Sequence, residues 1–595
     1  MEQRRLLRYA GACLLLSCAC TFSGCKDADY DFDNIDMLIG VGGEKLDLPG
    51  NNSTHELTLD DFLELNDNNF INIAPNGDYT IDISDANWHS TNPSIDQIVF
   101  NDPATEGGSI PLNLPLSAAP KLRRAAEQYK LASFNYEGIS VPQEVKDLEY
   151  IGCNAEITIS LTMPGIVKQI SNLTIGLPEC IDVKSATVTA GTVRVLQDHT
   201  LSIDNVRNGT LRLAVEGFFV GDEQTPNGIA VYNEEAHTLD VAGTFTASAT
   251  INRADIDLAT LPSGNLGYLA GAISLSSITI TKAVGYFAPA FNFDQLGTVN
   301  LNNIPDFLQG NDVKLDMYNP QIFILFNNDL PLGGLVSGRL IAYDANRRQM
   351  AAVDVPEFRV EPDECVVCIS KRPTTFGGDT LNVVVPNLSD IIERVPHTIE
   401  FTDIRAEGDS HDRATLELGY TYAVRTQYHV QCPLQFDDDA AIVYRDSTDG
   451  WNSTMKDLSF VERKPGDPTS IDGYVTMEAD VASKLPVYLV VKPTAMDVNG
   501  KSISDSQMTV SVDKTVAASP DGITPKTTHL VITLKPHTNE ALHKLDGIKF
   551  EISMNAADSD GQNPIAGKTI NAYSQTIHVT NVSASTHGKV VVDAN

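Results

Sequence analysis

Strict alternation of apolar and polar residues recurs along this chain, and it leaves few folds open. Ile157, Ile159, Leu161 and Met163 alternate with Glu156, Thr158, Ser160 and Thr162. The same pattern runs through Phe245, Ala247, Ala249 and Ile251, then Val313, Leu315 and Met317, then Ile322, Ile324 and Phe326. It returns at Leu416, Leu418, Tyr420, Tyr422 and Val424, and at Val475, Met477, Ala479 and Val481. Leu530, Ile532 and Leu534 follow, then Ile548, Phe550, Ile552 and Met554. Side chains of a strand point to opposite faces in turn, so each run predicts a strand with one face on a core and one in water. Asn208-Gly209, Asn499-Gly500 and Asp560-Gly561 lie between such runs as hairpin turns would. No long stretch has the 3.6-residue period of a helix. The best helix candidate, Leu116 to Tyr129, is short.

The expected fold class is therefore all-β, built from several tandem immunoglobulin-like or β-sandwich modules, mostly antiparallel, with few short helices. Composition puts the cuts at an N-terminal β module 35–135 with Arg123-Arg124 in its closing helix, a strand-dense domain 136–300, and two sandwich-like domains, 301–440 and 441–595. A β-branched residue followed by Pro recurs at Val141-Pro142, Ile304-Pro305 and Val385-Pro386. Each predicts Pro at the first position of a one- or two-turn helix. Asn539 to Lys544 is a proline-free candidate for a fourth such corner.

The first 34 residues have a different character. Arg4, Arg5 and Arg8 precede an apolar run from Tyr9 to Phe22, which ends in Ser23-Gly24-Cys25. A basic start, a short apolar middle and a small-residue cleavage site make a secretory signal, residues 1–24. The run is about 14 residues, against the roughly 20 that a membrane-crossing helix needs. A cysteine just past the cleavage point makes it a lipoprotein signal, with Cys25 as the acylated residue and Cys18 as the rival. Residues 25–34 form an acidic tether carrying Asp27, Asp29, Asp31 and Asp33. The signal holds three Arg and one Glu, so its removal takes the formal charge from −36 to −38. Such a field disfavours nucleic acid as a partner and suits divalent cations weakly. The implied membrane contact is through lipid.

Lys26-Asp27-Ala28-Asp29 resembles the export signal of Bacteroidota-type surface lipoproteins, in which a Lys or Gln and two acidic residues follow the lipidated cysteine. Ala28 here interrupts the acidic pair. The resemblance implies residence in the outer membrane with the protein facing outside the cell, and it assigns the export role to Lys26, Asp27 and Asp29. Val313 to Leu340 is similar to the strand-turn-strand core of the water-stress and late-embryogenesis-abundant immunoglobulin-like folds. Tyr428 to Trp451, with Cys432-Pro433-Leu434 and Ile442-Val443-Tyr444, resembles segments of large β-rich surface lipoproteins. These resemblances imply a location and a fold class, not an activity.

No stretch identifies a reaction. HExxH, GxSxG and a Walker loop are missing from the sequence, and Gly40-Val41-Gly42-Gly43 fails the phosphate-loop spacing. Past Cys25 there are five cysteines, Cys153, Cys180, Cys365, Cys368 and Cys432. An odd number argues against a full disulfide framework, although Cys153–Cys180 is a candidate bridge. Cys365-Val366-Val367-Cys368 reads as strand, which sends the two sulfurs to opposite faces rather than to one zinc. Asp437, Asp439, Asp446 and Asp449 are candidate calcium ligands, with a solvated acidic turn as the favoured alternative. Trp88 and Trp451 are the tryptophans a sugar platform would draw on. The reading is a noncatalytic binding, adhesion or envelope-structural protein without a cofactor. Capture of a glycan or other nutrient beside an outer-membrane transporter is one alternative, and a fimbria-like subunit cleaved after Arg124 is the other. A glycan or a protein is the expected ligand.

Overall fold

A computed structural model describes residues 38–41, 46–48, 56–59, 71–84, 87–113, 127–195, 198–221, 225–257, 265–293, 298–301, 304, 308–310, 312–558 and 566–593. It is all-β as the alternation predicts, with 60% strand, 4% helix and several antiparallel sheets, none closed into a barrel. Short helices occur at Asn452–Lys456 and Asn539–Lys544. A parallel pairing joins Asp363–Ser370 to Thr380–Val384. No helix among the described residues is long and apolar enough to cross a membrane.

Two hydrophobic cores organise the chain. One gathers residues from Ile95 to Phe291, together with Leu330, Leu332 and Ala414 to Val424. Its spine is the 18-residue strand Val145–Thr162. That strand pairs with Gly209–Phe219, Asn265–Ser274 and Ile278–Phe287 in a 14-stranded sheet. Ile157, Ile159 and Leu161 are buried, while Ser160 and Thr162 face water, so the period-two reading is realised side chain by side chain. The larger core runs from Leu57 to Ile81 and then from Val299 to Val590. Within it the seven-stranded sheet places Gln321–Asn328 between Asp363–Ser370 and Val424–Pro433. Ile322, Ile324 and Phe326 point inward there.

The cores are not filled in sequence order. Strands within 35–135 are shared out among later segments. Leu38–Val41 pairs with Val590–Asp593, and Leu46–Leu48 with Ile577–His587. Tyr79–Ser84 pairs with Val424–Pro433, and Ile98–Phe100 with Ile278–Phe287. The 135/136 cut falls inside strand Tyr129–Ser140, which is held by Ala104–Asn113 on one side and Thr238–Thr250 on the other. The 440/441 cut separates Ala440 from Ile442, which share the larger core. Near 300 Phe291 belongs to one core and Val299 to the other, but Leu330, Leu332 and Ala414 to Val424 return to the first. Most of the Leu116–Tyr129 helix candidate, including Arg123-Arg124, lies outside the described residues, and Tyr129 itself begins a strand.

The turn signals have mixed outcomes. Asn499-Gly500 forms the expected tight turn, with Gly500 at φ +71° and the Asp497 amide donating to the Lys501 carbonyl. Asn208-Gly209 instead links Thr200–Val206, paired with Ile170–Gly176, to Gly209–Phe219, paired with Val145–Thr162. It changes partner strands rather than closing a hairpin. Asp560-Gly561 lies outside the described residues. The run from Leu416 to Val424 is interrupted at Gly419, whose φ of +76° ends strand Arg413–Glu417 and leaves Tyr420 exposed. Of the proline corners, Val385-Pro386 leads into the 3₁₀ turn Leu388–Ile391. Val141-Pro142 makes a single turn closed by the Val145 amide on the Pro142 carbonyl. Asn539–Lys544 is a helix, capped by the Thr538 side chain accepting from the Ala541 amide.

Candidate functional site

The four aspartates named as candidate calcium ligands are not brought together. Asp437 and Asp439 precede strand Ala441–Thr448, Asp446 lies within it, and Asp449 follows it. Eight residues at about 3.3 Å each put the two ends roughly 25 Å apart. The Asp437 carboxylate is already engaged, accepting from Lys371 Nζ at 2.9 Å and Arg372 Nη2 at 2.6 Å. Lys371 also donates to Asp316 at 3.0 Å, and the Arg372 guanidinium sits 4.2 Å from the centre of the Tyr318 ring. Burial pushes the Asp437 carboxyl up, but the hydrogen bonds and charges of Lys371 and Arg372 outweigh it and hold the group below its ordinary range. Asp439 contacts Lys314 at 3.3 Å. Asp446 accepts from the Ser447 amide at 2.7 Å. Asp437 is thus one half of an ion-pair clamp whose cations, Lys371 and Arg372, follow the strand end at Ser370. No three His, Cys, Asp or Glu side chains among the described residues are grouped to hold a metal ion.

Cys153, Cys180, Cys365, Cys368 and Cys432 are all free thiols, so the candidate Cys153–Cys180 bridge is not formed. Burial pushes the Cys153 and Cys180 thiols up to about 11, and Cys368 and Cys432 up to about 12. They are protonated at neutral pH and act as small apolar side chains. Cys365 lies on the core side with Val367 and Ile369, three positions from Cys368, as strand geometry requires. Trp451 is buried, 6% exposed, and its amide donates to the Asp546 carbonyl, so it offers no sugar platform. Trp88 is exposed. Cys25, Lys26, Asp27, Asp29 and Arg123-Arg124 lie outside the described residues.

An open groove of about 480 Å³ lies on the solvent side of a three-stranded sheet, Ala441–Thr448, Gly547–Asn555 and Tyr488–Met496. Even-numbered residues of the first two strands, such as Ile442, Ile548, Phe550 and Met554, face the core. The odd-numbered ones therefore form the floor of the groove. Register sets the polar groups in two rows. Arg445, Glu551 and Lys492 lie directly across from one another, and Ser447, Lys549 and Thr494 form the next row. Glu551 lies between two cations, 2.9 Å from Arg445 Nη2 and 3.5 Å from Lys492 Nζ. Arg445 also donates to Asp312 and holds that carboxyl below its ordinary range. Lys549 makes no ion pair among the described residues. Asp446, at an even position, accepts from Tyr444 Oη at 3.4 Å and the Ser447 amide. Sequence reasoning did not find this site. Its signal is a basic residue at a solvent-facing position in each of three strands, and it has meaning only once the register of those strands is known.

No family profile and no curated protein matches the chain. Among solved structures it is similar to a protein from Parabacteroides distasonis described as a candidate secreted protein. The identity is 14% and the TM-score 0.33, over 52% of this chain and 83% of that one. An exo-β-agarase is 10% identical, with a TM-score of 0.14 over 27% of this chain and 20% of that one. A structure of infectious bursal disease virus is 8% identical, with a TM-score of 0.10 over 87% and 80%. These are distant likenesses, and they carry no argument about what the chain does.

Proposed function

We propose that the chain is a noncatalytic binding protein, lipidated on Cys25 in the outer membrane and displayed outward through Lys26, Asp27 and Asp29. The observation that carries the binding role is the groove of Arg445, Lys492 and Lys549. It is a concave polar surface fixed on a hydrogen-bonded sheet, with a basic majority among its floor charges in a chain of net charge −36. The observation that carries the anchor is Ser23-Gly24-Cys25 at the end of a short apolar run, followed at once by acidic residues. A lipid on the mature N-terminus tethers the strand-rich body while leaving the groove free to meet a ligand.

Metabolic palmitate labelling tests the anchor, with protease shaving of intact cells testing the display. Wild type takes up label, and Cys25→Ala does not. Shaving removes the folded region from whole cells. Replacing Lys26, Asp27 and Asp29 by Ala keeps the label and protects the protein from shaving. Equal labelling of wild type and Cys25→Ala would move the anchor to Cys18, and digestion only after lysis would place the protein in the periplasm.

A further inference from the structure

We infer that the groove of Arg445, Lys492 and Lys549 binds a short saccharide carrying carboxylate or sulfate groups. This rests on the reading of the chain as a binding protein and adds the chemistry of the ligand. Acidic residues outnumber basic ones 78 to 42 in the whole chain, yet the groove is lined by three cations, Arg445, Lys492 and Lys549, against two carboxylates, Asp446 and Glu551. Glu551 divides its two oxygens between Arg445 and Lys492, and Asp312 takes a second contact to Arg445 from the side. Lys549 is left as a point charge one row away, about 7 Å along the strand from Glu551. Arg445 and Lys492 stand about 10 Å apart across the central strand. The charged ends of Arg445 and Lys492 converge on Glu551, and Lys549 stands one row away, so the groove offers two polar positions a sugar ring apart rather than one phosphate cradle.

The hydroxyl groups support a saccharide over a simple anion. Ser447 and Thr494 flank Lys549 in its row, and Ser502 lines the same groove. Each hydroxyl both donates and accepts, which matches sugar hydroxyls. A volume of about 480 Å³ lies within the usual range for small-ligand sites, roughly 300–1,000 Å³. The exposed aromatics Trp88, Phe219, Tyr268, Tyr420, Tyr474 and Tyr573 do not line it. Phe550 lines the groove but is buried on the core side, so a neutral sugar has no exposed ring to stack on, and an acidic one gains charge-assisted hydrogen bonds. The surrounding negative field repels a long polyanion, which favours a short acidic unit over a nucleic acid.

Titration calorimetry on the detergent-solubilised full chain tests this with four probes: a galacturonate hexamer, a heparin-derived hexasaccharide, neutral maltohexaose and inorganic sulfate. At least one acidic hexamer should bind, and more tightly than sulfate or maltohexaose. Lys549→Ala and Lys492→Ala should each weaken it about tenfold, as the loss of one charged hydrogen bond does, and Lys549→Arg should retain it. Melting curves that overlay wild type separate lost contact from lost fold. Absence of binding by both acidic hexamers overturns the inference, as does binding unchanged in both Ala variants or no tighter than to sulfate. If maltohexaose binds best and Lys549→Ala abolishes it, the groove remains a binding site and the acidic ligand class is wrong. Lipidation and display are read separately, so their failure cannot be mistaken for failure of this ligand.

Discussion

Asp437→Ala should destabilise the larger core by about 3 kcal/mol at neutral pH, and millimolar calcium should not restore it. Truncation leaves Lys371 with Asp316 as its remaining carboxylate partner and takes the acceptor from Arg372 Nη2. Lys371 is 13% exposed, so water replaces little of what it loses. The pH dependence has a definite sign. The folded Asp437 pKa lies below its ordinary value, so its contribution is fully present above the unfolded pKa of about 3.9. That contribution is lost as pH falls through the lower folded value. The gap between wild type and variant should therefore be constant from pH 5 to 7, within about 0.3 kcal/mol, and close below about pH 4. Urea unfolding followed by fluorescence reads this directly, because Trp451 is buried in the same core. A variant within about 0.5 kcal/mol of wild type would show the clamp to be ornamental. Stabilisation by calcium that needs Asp437 and Asp439 would restore the metal-loop reading.

The second large effect concerns two glycines beside the spine of the smaller core. A Cβ built on Gly285 meets the Asp147 carbonyl oxygen at 2.1 Å, and one on Gly217 meets the Ile151 carbonyl oxygen at 2.3 Å. Both obstacles are backbone atoms of Val145–Thr162, which is paired on both sides and has little room to move. Gly285→Val and Gly217→Val should each cost about 3 kcal/mol or more. Limited proteolysis should then open the region from Ile95 to Phe291 while sparing the larger core. Gly138→Ala is the contrast, because its Cβ meets nothing within 4 Å and only its φ of +66° opposes the change. A wild-type urea midpoint for Gly285→Val would mean that the strand pair yields more readily than its hydrogen bonding implies.

What could be read from the sequence was local. Ile157, Ile159 and Leu161 announce a half-buried strand because direction alternates with every residue, whatever the partner. Partners do not announce themselves. Lys371 and Asp437 are 66 positions apart, so three consecutive aspartates looked like a metal loop when one of them was already neutralised. The groove needed Arg445, Lys492 and Lys549 to be set in register across more than 100 residues. Trp451 counted as a candidate platform because the core that buries it is assembled from distant parts of the sequence. Gly419 was the cue that broke the run from Leu416 to Val424, and an unbroken alternation on either side masked it.

The pairing of Leu38–Val41 with Val590–Asp593 bears on how the molecule is made. These partners are about 550 residues apart in sequence. A chain emerging from its N-terminus holds Leu38–Val41 as an open edge until nearly the whole sequence has followed. Ranges this long make loop closure slow and leave unpaired strand edges exposed to other chains. With the anchor proposed at Cys25, the protein would carry that open edge closest to the membrane surface. Its maturation should therefore be limited by completion of the chain, with truncations that lose Val590–Asp593 prone to join edge to edge with one another.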